Sequence, residues 1–150
     1  MFLFSDHLPA PIVLLCALTV FLGVKLVGYA AAATVLRRAF PDTSTGAWKA
    51  GAVRVALGVA GGLMYVALWN LVYHPHEGEQ HGWAHLVFQL GLFAVRAGEW
   101  WVLFAWHFPG AMRERKRGVV CALAGALWSH ALDLPAWIAL GLTVGWLIVF

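Results

Sequence analysis

The chain has 150 residues, of which 62% are hydrophobic and only 11% charged, with a mean hydropathy of +0.78. These values exclude an ordinary water-soluble domain, in which charged side chains are far more frequent. The formal charge of +3 and pI near 9.2 would suit a nucleic-acid binder in a soluble chain. Here the basic residues mostly punctuate apolar stretches, so they read as a topology signal and no nucleic-acid partner is expected.

A helix crossing a hydrocarbon layer of roughly 30 Å needs about 20 apolar residues, and four such stretches follow one another. The first is expected over about 8–36, with Pro9 and Pro11 in a first turn whose amides lack partners anyway. Asp6 and His7 stand where a secretory signal would be basic, and the apolar run is too long for a signal core, so a retained helix is expected. Arg37 and Arg38 are expected to stop it, before a loop of turn-forming residues from Pro41 to Gly46. The second span, over about 47–73, ends at His74-Pro75, and the third, over about 84–108, at Pro109-Gly110. The fourth, over about 118–150, is long enough to tilt or to kink at Pro135. The chain is therefore expected to be an all-α integral membrane protein, a four-helix transmembrane bundle forming a single domain over 1–150. Cys16 and Cys121 fall near opposite faces of the bilayer, too far apart for a disulfide.

Cytoplasmic loops retain positive charge. Arg37, Arg38 and Lys49 flank the first loop, and Arg113, Arg115, Lys116 and Arg117 fill the third. The termini and the second loop carry no Lys or Arg, a partition of seven against zero. Both termini are thus expected on the non-cytoplasmic side of a cell (plasma or inner) membrane, with the protein multi-pass. Trp48, Trp69, Trp83, Trp106 and Trp146 lie near span ends, where amphipathic rings favour the headgroup region. Trp100, Trp101, Trp128 and Trp137 lie deeper, positioned to shape a cavity or to face lipid.

Lys25, Arg54, Arg96, Glu99, His130 and Asp133 all stand where hydropathy assigns hydrocarbon. A charge there costs roughly 2.5–3.5 kcal/mol on insertion scales, which makes an intramembrane ionisable group a candidate site. In the third span His85, Gln89, Leu92, Arg96, Glu99, Leu103 and Trp106 recur at helical spacing. In the second, Gly51, Arg54, Gly58, Gly62 and Tyr65 share a face, with Gly58 and Gly62 as a small-residue notch. In the fourth, Ala126, His130, Asp133 and Trp137 do so. One polar lining in the inner half of the bundle is the economical expectation.

Arg96 with Glu99 and His130 with Asp133 have the i, i+3 spacing of pairs within one helix. The plainer reading makes them glue, with Lys25 snorkelling inward and Arg54 reaching the inner headgroups. Against it, three fixed cations face two carboxylates, and leucines would hold helices together at lower cost. Ser129 adjoins His130 but points about 100° away on an ideal helix, so no catalytic triad is expected.

Residues 74–85 hold four histidines and two glutamates in twelve positions. Imidazole and carboxylate suit Zn, Cu or Ni, which makes His74, His76, His81 and His85 candidate metal ligands. The competing reading is a solvated, pH-sensitive loop.

The expectation that follows is a ligand-handling protein whose inner cavity binds or transports an anionic or amphiphilic, lipid-type ligand. The alternatives are an accessory or assembly subunit of a larger membrane complex, or a membrane enzyme acting on lipid. The expected partners are membrane lipid and either a second copy or other subunits, with Gly141 and Gly145 as a small-residue face for packing.

Overall fold

A computed structural model describes residues 10–41, 43, 45–73 and 82–149. Among them the chain forms only helices: α1 (Ala10–Ala39), α2 (Ala47–Val72), α3 (Gly82–His107), the single turn α4 (Pro109–Met112) and α5 (Arg115–Val149). Four of these are long and apolar enough to cross a membrane.

Arg37 and Arg38 do not stop α1; they form its last turn, where cations complement the negative end of the helix dipole. The helix stops instead at the residues around Pro41, because Phe40 precedes a proline and is biased away from helical geometry. The Phe40 amide still donates to Leu36 O at 2.8 Å. Phe108, with φ −133° and ψ 62°, breaks the chain between α3 and α4 in the same way, and Pro109 then starts α4 at a position that needs no amide. α5 begins at Arg115, earlier than hydropathy suggests, and passes through Pro135 as one continuous helix.

Each long helix packs on two neighbours: α1 on α2 and α5, and α3 on α2 and α5. The result is a square whose diagonals, α1/α3 and α2/α5, are bridged only by side chains. The α1–α2 and α3–α5 connections lie at one end, called here the basic end. Two contacts tie them together: Thr45 Oγ1 with His107 Nδ1 at 3.0 Å, and the Arg117 guanidinium 4.7 Å above the Phe40 ring. The buried core sits in this half, around Tyr29, Ala33, Ala50, Trp100, Phe104 and Phe108. Gly51 brings α2 onto α1, since a Cβ there would stand 3.0 Å from the Ala30 nitrogen.

Towards the far end the helices are joined by aromatic rings rather than by a continuous core. Tyr65, Trp69 and Tyr73 stack along α2 against Phe88 and Trp83 of α3, with centroids 5.1–6.4 Å apart. Tyr65 donates to Phe88 O at 2.9 Å, so it closes a helix contact rather than lining a polar face. Around the periphery Leu63, Leu71, Leu86, Leu134 and Leu142 are exposed, as side chains in contact with lipid would be.

Candidate functional site: two levels of buried charge

The charges inside the bundle are paired between helices, not within them. On the level nearer the basic end, Arg54 of α2 meets Glu99 of α3, Nη1 to Oε2, at 2.7 Å. Arg54 is almost wholly buried, at 1% exposure, and Glu99 at 9%. The guanidinium lies 5.0 Å from the Tyr29 ring centroid and 5.2 Å from that of Trp100, within cation–π range of both. Arg54 therefore crosses the bundle interior instead of reaching for headgroups. Its carboxylate partner is seated against α2 at Gly61, where a Cβ would overlap Glu99 Oε1, and beside Gly58. Gly62, expected to form the notch, faces open space: a Cβ there would have nothing within 4 Å. The notch is Gly58 with Gly61.

Ser129 of α5 completes this level and was not expected to take part. Its hydroxyl is fully buried and accepts from Arg54 Nη2 at 3.0 Å and from Trp100 Nε1 at 2.8 Å, with the Tyr29 hydroxyl at 3.3 Å. A hydroxyl oxygen has two lone pairs. Arg54 and Trp100 make the two shorter contacts, and the longer one joins the two hydroxyls. One oxygen thereby joins all four long helices. The signal for it was present in the stripe Ala122, Ala126, Ser129 and Ala136, whose members are all at most 4% exposed. Small residues at helical spacing mark the face that lets the bulky Trp100 approach. Gly125 belongs with them, since a Cβ there would collide with the indole.

One helical turn farther from the basic end, Asp133 of α5 is shared by two cations. Lys25 Nζ of α1 lies 2.5 Å from Oδ1, and Arg96 Nη1 of α3 lies 2.5 Å from Oδ2. Lys25 also sits 4.8 Å above the Phe21 ring, one turn towards the far end, so it does not snorkel to the inner surface. At this level α2 presents Gly58 and Gly61 and no charged group. Side-chain exposures of 14%, 13% and 22% for Lys25, Arg96 and Asp133 contrast with the sealed Arg54 level and make this the accessible one.

The expected Arg96–Glu99 and His130–Asp133 pairs do not form. Charges in a bundle interior meet across the centre, where side chains from different helices converge, more readily than along one helix surface. His130 instead bonds Ala126 O through Nδ1 at 3.0 Å and lies 5.6 Å from the Phe93 ring. A carbonyl only accepts, so Nδ1 carries the proton and Nε2 is the nitrogen able to gain one. The α5 stripe through Trp137 is likewise displaced: Trp137 is 61% exposed and packs on Phe21, and Trp106 at the end of the α3 stripe is 67% exposed. Three atoms of the Arg54–Glu99 pair, Arg54 Nε, Arg54 Nη1 and Glu99 Oε2, are buried without an aligned hydrogen-bond partner, as is Arg96 Nη1. The short Arg54–Glu99 and Arg96–Asp133 distances are thus charge contacts rather than well-directed hydrogen bonds.

Of the candidate metal ligands, His74, His76 and His81 lie outside the described residues, and His85 is exposed in the first turn of α3. Among the described residues no three His, Cys, Asp or Glu side chains are grouped to hold a metal ion. Cys16 and Cys121 are free thiols. Compared with known proteins, the chain matches no family model, no curated protein and no solved structure.

Proposed function

We propose that the chain is a small polytopic membrane protein that binds, and moves within the bilayer, an anionic or amphiphilic ligand through the level formed by Lys25, Arg96 and Asp133. The basic end is taken to face the cytoplasm from its charge. The observation that carries the reading is the sharing of one carboxylate by two cations, each at 2.5 Å. Asp133 cannot neutralise both, so a phosphate or carboxylate from a ligand has a charge to satisfy there. Asp133 then acts as an internal anion that holds the cations in place until a ligand displaces it. Arg54, Glu99 and Ser129 position the helices behind it.

Asp133→Asn separates this reading from a purely structural one. If Asp133 only clamps helices, its loss leaves two cations unpaired, costing about 3–5 kcal/mol for a broken buried pair, and no amphiphile should restore stability selectively. On the proposed reading the variant has lost its internal competitor. Dodecyl phosphate should then raise its melting temperature more than it raises that of the wild type, and more than uncharged dodecyl maltoside does. Equal effects of the two amphiphiles on the variant would rule the reading out.

A further inference from the structure

A second site lies outside the charge cluster, where α1 meets its loop at the basic end. Thr34, Arg37, Arg38, Pro41 and Thr43 line a cavity of about 340 Å³. Thr34, Arg37 and Arg38 are at i, i+3 and i+4, so they present one face of the last turns of α1. Topology accounts for arginines at this end, but it needs only their charge. It does not require a cavity, nor the group that closes it. Thr43 is only 8% exposed, and its buried hydroxyl has no hydrogen-bond partner among the described residues. A buried hydroxyl left unpaired is costly, and each instance asks for an explanation.

The described residues on either side of Thr43 are anchored. Phe40 is 6% exposed beneath Arg117, Thr43 N donates to Phe40 O at 3.3 Å, and two residues later Thr45 bonds His107. Neither Arg37 nor Arg38 makes an ion pair with another described residue, whereas every cation in the bundle interior does. Two guanidiniums offering forked donors, with a buried hydroxyl lining the same cavity, match the oxygens of a phosphate group.

We infer that this cavity is a phosphate-binding site for a terminal phosphate, supplied by an anionic lipid headgroup or by a free phosphate at the membrane surface. Arg37 and Arg38 supply the charge and the forked donors, and Thr43 supplies the hydroxyl, which donates to a phosphate oxygen and so loses its unpaired state. The site is distinct from the level of Lys25, Arg96 and Asp133: none of these three lines it, and Lys25 precedes Arg37 by about three turns of α1.

The test uses the full chain in mild detergent, titrated with dioctanoyl phosphatidic acid, dioctanoylglycerol and inorganic phosphate, with binding read by native mass spectrometry and by melting temperature. Two variants are compared with wild type. Arg37→Lys with Arg38→Lys keeps the positive charge that sets topology and removes the forks. Thr43→Val keeps the packing and removes the hydroxyl. Lys25, Arg96 and Asp133 stay intact, so any anion bound among them is a background common to all three proteins. Each variant should bind phosphatidic acid about tenfold more weakly, the loss expected when a hydrogen bond to a charged group goes unmade. Thr43→Val should at the same time melt no lower than wild type in the absence of phosphate, since it discards an unpaired polar atom. Dioctanoylglycerol should not distinguish the proteins. If inorganic phosphate reproduces the wild-type preference, a free phosphate suffices; if only phosphatidic acid does, the ligand is a headgroup. Equal phosphatidic acid and phosphate affinities across wild type and both variants would overturn the inference and leave the arginines as topology signals alone.

Discussion

Ser129 carries more of the interior than its size suggests, because its oxygen accepts from Arg54 and Trp100 and meets Tyr29. Removing the hydroxyl therefore strands two buried donors, which costs about 1–3 kcal/mol each when no substitute is found. Ser129→Ala should lower stability by at least the lower figure and shift Trp100 fluorescence, as the indole loses its hydrogen bond. A variant that melts like wild type with an unchanged emission spectrum would show that the three contacts contribute nothing. The same residue marks the limit of periodicity reasoning. Its neighbour His130 is the more conspicuous chemical group, yet His130 faces Phe93 and its own helix backbone while Ser129 points into the centre. The angular difference of about 100° between adjacent helical residues was legible; which of the two faces met the centre depended on Trp100 and Gly125 packing across α3 and α5.

At the scale of the helices, the notch on α2 gives a sharp contrast between adjacent glycines. A Cβ on Gly61 would overlap the Glu99 carboxylate, and one on Gly62 would meet open space. Gly61→Ala should therefore displace Glu99 from Arg54 and destabilise the bundle by about 1–3 kcal/mol, as overpacking does. Gly62→Ala should stay within about 0.5 kcal/mol, the range of substitutions that touch nothing. Denaturant titration of the two variants in parallel is the measurement, and equal stabilities for the two would mean that the contact between Gly61 and Glu99 contributes nothing. The four long helices themselves were readable because roughly 20 apolar residues in a row leave few alternatives. Their ends were less so: Arg37 and Arg38 extend α1 because a cation suits a helix C-terminus, a local electrostatic effect that hydropathy does not contain. The members of the charge cluster were readable too, from the cost of placing them in hydrocarbon. Their partners were not, since Lys25 and Asp133 are more than a hundred residues apart and meet only because α1 packs on α5.

On the scale of the whole molecule, the square of helices puts the α1–α2 and α3–α5 connections together, so their basic residues add into one surface. Seven Lys and Arg residues flank these two connections. The bundle geometry is silent on which side of a membrane that surface meets, and the charge rule is what assigns it to the cytoplasm. The assignment matters for both proposed sites, because it sets the leaflet from which a phosphate or an anionic lipid would reach Arg37, Arg38 or Lys25. A cysteine placed on each end tests it in intact cells, after Cys16 and Cys121 are replaced. Thr43 is a poor choice for the basic end, being buried against the loop, and labelling there would fail for reasons of packing on either side. Glu114 is exposed between α4 and α5, and replacing an acidic residue leaves every basic one in place. Gln80 serves for the other end. A membrane-impermeant maleimide should label Gln80→Cys in intact cells and leave Glu114→Cys unlabelled until the membrane is opened. The reverse pattern would invert the protein and place both proposed sites in the outer leaflet, while equal labelling of the two would mean that seven basic residues do not fix a single orientation.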